Sequence, residues 1–367
     1  MRSAPDPPRL IRRLRVALVL CAMLVGLCML ALLAVLFYWQ QFLLQGQRSD
    51  PFTRGPFVAD VSRDTAIVRF SGPEPSSVTL VAAAPDGTTV EATDGRFTGL
   101  QPGLRYAWTA AVDGVGAASG SFRTAPDDPD APVTFGVIAD YGSGTEHQYA
   151  VGRGLAAIDP DFTLTAGDNS YLLALPQLLD RNIFGPLKPA MAEGPLVVTL
   201  GDHDTFYRGG EAITDAIGMP GAGLRYTWEY GGVQVIIAGV ESDAAAAAFA
   251  RSELAKPFDG VRFVAVHQPP RPDDPLLDAV RGRVAAVFSG HLHRHERRLV
   301  DGVLCITAGT GGMGPGDAEF TQRTREAVFS TLDYGFARVQ VNARRTLIEF
   351  IDESGRVRDV IRVPREE

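Results

Sequence analysis

The sequence predicts an α/β domain preceded by an all-β sandwich and a single membrane-spanning helix, and three observations carry that prediction. Residues 16–39, VALVLCAMLVGLCMLALLAVLFYW, contain no charged side chain. From about residue 56 to 124, short alternating apolar runs are separated by turn signals. Beyond residue 132, successive apolar runs end in Asp, Tyr or His, and the last of them opens onto GHLHRHE at 290–296. The chain has 367 residues, 46% apolar and 21% charged, which is long enough for more than one domain and shows no bias toward disorder.

The first element is the apolar stretch. A helix of roughly 20 residues crosses a bilayer core, and 16–39 exceeds that length. A cleaved signal peptide has an apolar region of about 7–15 residues followed by a small-residue cleavage site. Phe37-Tyr38-Trp39-Gln40 is no such site. Arg2, Arg9, Arg12, Arg13 and Arg15 precede the stretch, opposed only by Asp6. The excess of arginine keeps the N-terminal side in the cytoplasm. The expectation is a cytoplasmic segment 1–15, a single-pass anchor 16–39, and an extracytoplasmic remainder. Of the 35 basic and 43 acidic residues, 30 and 42 lie beyond residue 15, a net charge of −12. Such an acidic ectodomain excludes general nucleic-acid binding, which needs clustered Lys and Arg to neutralise phosphates. Of the three cysteines, Cys21 and Cys28 lie in the apolar stretch and Cys305 stands alone beyond it, so no disulfide framework is possible there.

Alternation at 65–70, 78–84 and 105–112, with Pro85-Asp86-Gly87 between runs, predicts a β-sandwich over 56–125. Leu100-Gln101-Pro102-Gly103-Leu104-Arg105-Tyr106 resembles the tyrosine corner of fibronectin type III domains. Phe122-Arg123-Thr124-Ala125-Pro126 resembles their last strand. The resemblance covers roughly 70 residues and implies a spacer or docking module without chemistry. The string PDDPDAP at 126–132 then reads as a stiff linker, because successive prolines favour extended backbone.

The second domain is expected over 132–363. VTFGVIAD is a strand ending at Asp140, followed by the flexible turn Gly142-Ser143-Gly144 and a helix through 150–158. Taken singly, Asp140 reads more readily as a helix cap than as a ligand. FTLTAGDNSY returns to the sheet and places Asp168 and Tyr171 three residues apart on one turn. A phenolate ligates strongly Lewis-acidic ions such as ferric iron, whereas a tyrosine without one is a packing residue. A helical segment around 172–180 is expected next. PLVVTLGDHD supplies Asp202 and, beside it, His203, which reads either as a proton donor near the site or as a hydrogen-bonded cap.

Tyr226–Tyr230, Gly231-Gly232 and 233–240 form a hairpin, and the Ala-rich 244–256 a helix. VRFVAVH ends at His267, and the run 284–288 leads to His291 and His293. Gly309, Gly311 and Gly312 suit the floor of a site. The tail runs FARVQV, RTLIEFID and VRDVIRV alternate like edge strands of a second sheet. Carboxylate and imidazole donors converging from several strand ends suit a pair of metal ions that activate water beside a phosphate.

The ordered set D-x-G, G-D-x-x-Y, G-[N/D]-H-D, V-x-x-H and G-H-x-H resembles the metallophosphoesterase (calcineurin-like) superfamily, nearest to the purple acid phosphatases. The resemblance covers about 220 residues. It implies a four-layer sandwich of two mixed sheets flanked by helices. It also implies a binuclear hydrolase in which a metal-bound hydroxide attacks a phosphate ester. By resemblance, Asp140, Asp168, Tyr171 and His293 hold the first metal, and Asp168, Asp202, His267 and His291 the second. Ferric iron is expected at the Tyr171 site, with Fe(II), Zn or Mn at the other. His203 is the candidate for protonating or orienting the leaving group.

Two departures stand out. Gly142 occupies the position of a histidine found in ordinary superfamily members, and Asp202 that of an asparagine. The further histidines that plant-type members carry after V-x-x-H are missing from 268–277; Arg271 and His295 read as solvated surface residues, with added positive charge at the site as their alternative role. The sequence thus implies a membrane-anchored, extracytoplasmic phosphoesterase acting on mono- or diesters. The rival class is a surface binding or adhesion protein with a degenerate scaffold, and the complete set of seven donors disfavours it.

Overall fold

In the computed structural model, which describes residues 7–44, 51–171, 173–218, 224–314 and 322–364, the chain divides into two units, Met1–Gln45 and Gly46–Glu367. The first unit is helix α1 (Pro7–Leu44). Its stretch Arg15–Phe37 is rich in Leu, Ala and Met, which lose little freedom in a helix. By length and composition the stretch is apolar enough to cross a membrane, and all of its side chains are exposed. Arg2 and Asp6 lie outside the described residues.

The second unit begins with β1 (Arg54–Val61), β2 (Thr65–Ser71), β3 (Val78–Ala83), β4 (Thr89–Glu91), β5 (Arg96–Thr98), β6 (Arg105–Val112) and β7 (Val115–Arg123). A three-stranded sheet, β1-β2-β5, and a four-stranded sheet, β4-β3-β6-β7, share one core. The two-residue period decides what fills it: along β6, Tyr106, Trp108 and Ala110 are buried between more exposed neighbours. The Tyr106 hydroxyl accepts the Gln101 N–H at 2.9 Å, five residues upstream. This sandwich is no free-standing spacer. Trp108 Nε1 donates to Ala192 O at 3.0 Å and the Tyr230 hydroxyl to Arg123 O at 2.8 Å. The proline-rich stretch, expected to be a stiff linker, is seated on the Gly231-Gly232 turn, where a Cβ at Gly232 would stand 1.9 Å from Pro129 O.

The remaining elements are β8 (Val133–Ile138), α2 (Glu146–Ala157), β9 (Phe162–Ala166), α3 (Lys188–Met191), β10 (Leu196–Thr199), α4 (Asp202–Thr205), α5 (Glu211–Ile217), β11 (Tyr226–Tyr230), β12 (Val233–Gly239) and α6 (Ala244–Leu254). They continue with β13 (Val261–Val266), α7 (Pro275–Val280), β14 (Ala286–Ser289), β15 (His295–Val300), β16 (Val303–Ala308), β17 (Ala327–Thr331), β18 (Gly335–Val341), β19 (Arg345–Asp352) and β20 (Val357–Pro364).

Two mixed sheets result, ordered β10-β9-β8-β18-β19-β20 and β11-β12-β13-β14-β16-β15-β17. Their inner faces meet through Phe135, Phe162, Phe263 and Phe288, with the Phe135 and Phe162 rings stacked 4.6 Å apart. Outside the first sheet, α2 buries Val151 and Leu155 against Ile138; outside the second, α6 and α7 bury Ala250, Leu276 and Val280 against Ile236 and Val264. This is a layered sandwich, helix, sheet, sheet, helix. It satisfies the rule that parallel strands, apolar on both faces, need cover on both sides.

Three local expectations are corrected. The tail strands are not all edges: β18 lies between β8 and β19, and only β20 is terminal. The helical segment expected around 172–180 is only partly formed. Leu172 lies outside the described residues, Leu173 and Ala174 have φ of +75° and +48°, and a 3₁₀ turn at Pro176–Leu178, begun by proline, is followed by a π-helical turn over Asp180–Phe184. His295 is not a surface residue. It is 1% exposed, stacked 4.0 Å from Phe350, because β15 carries it into the sheet. Burial pushes its imidazole down to about 3, so it contributes no positive charge.

Candidate metal centre

Five parallel strands aim their carboxyl ends at one place. Asp140, Asp168 and Asp202 lie two or three residues beyond β8, β9 and β10, and His267 and His291 one or two beyond β13 and β14. Crevices at such strand ends are where open α/β sheets bind ligands. Asp140, Asp168 and His291 have φ of +51°, +52° and +67°. Side chains other than glycine rarely adopt that left-handed region, and local strain of this kind collects at functional sites.

The donors meet in three overlapping groups whose ligand atoms lie within 4.8 Å of one another: Asp202, His267 and His291; Asp140, Asp168 and His267; and Asp168, Asp202 and His203. His267 is oriented from behind. Its Nδ1 sits 2.9 Å from Ala166 O, so Nδ1 carries the proton and Nε2 faces Asp202 Oδ1 at 2.9 Å and Asp168 Oδ1 at 3.4 Å. His291 Nδ1 reaches the same Asp202 oxygen at 3.2 Å. The Tyr171 hydroxyl donates to Asp140 Oδ1 at 3.2 Å and lies 3.1 Å from His293 Nε2. All seven sequence-derived donors are thus brought together, and the His203 ring lies 4.7 Å from that of Tyr171.

Charge explains the electrostatics. Burial raises Asp140 to about 7, with the His267 charge opposing and the Asp168 charge adding to the rise. Burial also works against His267, yet the charge of Asp168 and the hydrogen bond to Asp202 raise it to about 10. For Asp202 burial is outweighed by hydrogen bonds from His267 and His291, which hold it below the usual carboxylate range. Burial, and then the Asp140 charge, hold the Tyr171 phenol protonated.

These residues fit bound cations on several counts. Asp140 Oδ2 is buried and, among the described residues, accepts no hydrogen bond, an expensive state for a carboxylate oxygen. A histidine anchored by a carbonyl at one ring nitrogen and presenting the other is the usual posture of a metal ligand. Glycines keep the donors clear of side chains: a Cβ at Gly167 would stand 2.2 Å from His267 Nδ1, and one at Gly290 2.6 Å from Asp140 Oδ2. Gly142 is explained in the same way. A Cβ there would meet Asn169 O at 2.1 Å, so the turn that carries Tyr171 leaves no space for a histidine.

Sequence reasoning missed Asp204. It is fully buried and accepts from Gly201 N, Asn169 N, Asn169 Nδ2 and Ser170 N, which ties α4 to the Asp168–Tyr171 turn. The one available signal was its place in GDHD, two residues after Asp202. Asn182 supports the same turn through Ser170 Oγ and Tyr171 O, and nothing in its surrounding sequence marks it. A cavity of about 1000 Å³ does not contain the cluster. It lies between the sandwich and α5.

The architecture is shared with a purple acid phosphatase and with PhoD. It matches a purple acid phosphatase from seeds of yellow lupin (Lupinus luteus) with a TM-score of 0.71 at 14% identity, over 86% of this chain and 75% of that one. PhoD matches with a TM-score of 0.58 at 14% identity, over 85% and 89%. No protein-family model matches the sequence, and no curated protein matches it. At these identities the likeness is one of fold.

Proposed function

We propose that this chain is a membrane-anchored, extracytoplasmic binuclear metallophosphoesterase that hydrolyses phosphate esters in the manner of an acid phosphatase. In this reading residues 16–39 span the membrane, 56–125 form a fibronectin III-like sandwich, and 132–363 form the catalytic domain. The observation that carries it is the convergence of three carboxylates and His267, already anchored through Nδ1, at the strand ends of a phosphoesterase fold.

Asp140, Asp168, Tyr171 and His293 would hold one metal ion, and Asp168, Asp202, His267 and His291 the other. Ferric iron suits the tyrosine site, and Fe(II), Zn or Mn the second. Bound there, the ions supply Lewis-acid polarisation of the phosphoryl group and lower the pKa of water. The chain's own groups do the rest. The Ala166 carbonyl fixes the His267 tautomer. Before metal binds, the Tyr171 hydroxyl, hydrogen-bonded to Asp140, orients that carboxylate. His203, half-exposed beside Asp168 and Asp202, is placed to protonate or orient the leaving oxygen.

The full chain in detergent, loaded with zinc or iron, tests the reading by metal analysis and by hydrolysis of phenyl phosphate and bis(4-nitrophenyl) phosphate. About two metals per chain and turnover of at least one ester are expected. A chain that retains no metal, or that is loaded and hydrolyses neither, refutes the reading. Protease added to intact cells or spheroplasts should digest the part beyond residue 45, and protection of that part would reverse the topology.

A further inference from the structure

The short helix α4 has an inward and an outward face. Asp204 points inward and is fully buried. Phe206, two residues on, is rotated by about 200° from it at 3.6 residues per turn, and the residue is 64% exposed. His203 and Phe206, three apart, are neighbours on one helical face. Their rings stand 5.8 Å apart, edge to face at 71°. His203 in turn lies 4.7 Å from the Tyr171 ring and offers a nitrogen within 4.8 Å of the Asp168 and Asp202 carboxylates. A short file of aromatic rings therefore runs from the carboxylate cluster out to solvent.

Phe206 is singular in this respect. Among the described residues outside α1 it is the only exposed phenylalanine; the others are buried or half-buried. Leaving such a side chain in water forgoes the free energy of burying it. The chain that follows Phe206 goes on through Tyr207 and Arg208 to the wall of the cavity of about 1000 Å³ between the sandwich and α5.

We infer that Phe206 is a specificity-determining residue that seats a planar, aromatic leaving group of the ester while its phosphate lies at the carboxylate–imidazole cluster. The inference rests on the phosphoesterase reading and narrows its substrate class. The chemistry is that of ring against ring. Aromatic pairs with centroids about 4.5–7 Å apart gain roughly 0.5–1.5 kcal/mol beyond the area they bury. A saturated ring of the same size buries similar area without that gain, and a methyl group reaches neither.

The test measures binding of inorganic phosphate, methylphosphonate, cyclohexylphosphonate and phenylphosphonate to the zinc-loaded full chain by calorimetry, in wild type, Phe206→Ala and Phe206→Leu. Wild type should bind phenylphosphonate roughly 2- to 13-fold more tightly than cyclohexylphosphonate, the range that an aromatic pair supplies. Both variants should bring that ratio close to one. An equal ratio in all three proteins, or no aromatic preference in wild type, overturns the inference. If phosphate binds while the ratio stays flat, the inference alone falls. If phosphate fails to bind the loaded wild type, the phosphoesterase reading falls and takes the inference with it.

Discussion

Asp204 Oδ2 accepts a 2.6 Å hydrogen bond from Nδ2 of Asn169, and Asp168, the neighbour of Asn169, accepts the backbone N–H of His203, the neighbour of Asp204, at 3.1 Å. The turn after β9 and the helix after β10 thus exchange carboxylates. Each holds the backbone of the other, and between them they carry Asp168, Tyr171, Asp202 and His203.

Asp204→Asn tests this clasp. The amide turns a donor toward N–H groups that need an acceptor, and each buried donor left without one costs roughly 1–3 kcal/mol. Loss of a group that orients metal ligands lowers metal affinity by about 10–100-fold. A lower Tm together with weaker zinc binding in chelator competition is expected. Unchanged zinc affinity at a lowered Tm would mean that the clasp serves folding alone.

The metal-free protein should lose stability as pH rises. Burial sets Asp140 and Asp204 at about 7 against 3.8 in the free residue, and neighbouring carboxylates set His267 at about 10 against 6.5. In each case the folded pKa is raised, so the native state holds more protons than the unfolded chain across the window from about 4 to 10. Stability then falls with pH through that window. Asp202 is shifted the opposite way and titrates beneath it, and His295, pushed down to about 3 against 6.5, offsets one of the two carboxylate protons below about 6.5. Zinc binding displaces these protons, so its stabilisation should grow with pH. Tm measured from pH 5 to 8, with chelator and with zinc, reads both trends, and a zinc increment that shrinks over this range would place the metal elsewhere.

Tyr171→Phe removes the hydroxyl that reaches Asp140 and His293. Iron-loaded wild type should show a visible phenolate-to-iron charge-transfer band, and the variant should lose it along with most of its iron. An unchanged spectrum and iron content would show that the iron is not on Tyr171.

Asp202→Asn removes one negative charge at the point where His267 and His291 converge, 2.9 and 3.2 Å away. With Asp202 ionised the loaded site is one unit less positive than with asparagine. A dianionic monoester then gains less over a monoanionic diester, and burial enlarges each unit of charge. The substitution should raise the monoester-to-diester ratio of kcat/KM several-fold at equal metal occupancy. A flat or falling ratio refutes the charge argument.

Much of this molecule was legible in the order of its residues because the signals are local. The apolar length of 16–39, the two-residue alternation along β6, and apolar runs that stop at Asp140, Asp168, Asp202 and His267 each follow from spacing within one element. Spacing also exposes donor types, and therefore the class of ion they suit. The tertiary structure decided what distant residues do to one another. His291 donates its N–H to Asp140 across 151 positions, and His267 turns its Nε2 inward because Ala166 O, 101 positions away, holds the other side of the ring. His295 lies two residues from a candidate ligand, yet strand pairing takes it out of solvent and out of the site. Asp204 and Phe206 differ by two positions on one helical turn, which sends one carboxylate into the core and one aromatic ring into water. Burial and facing depend on which elements pack together, and no single stretch of chain contains that information.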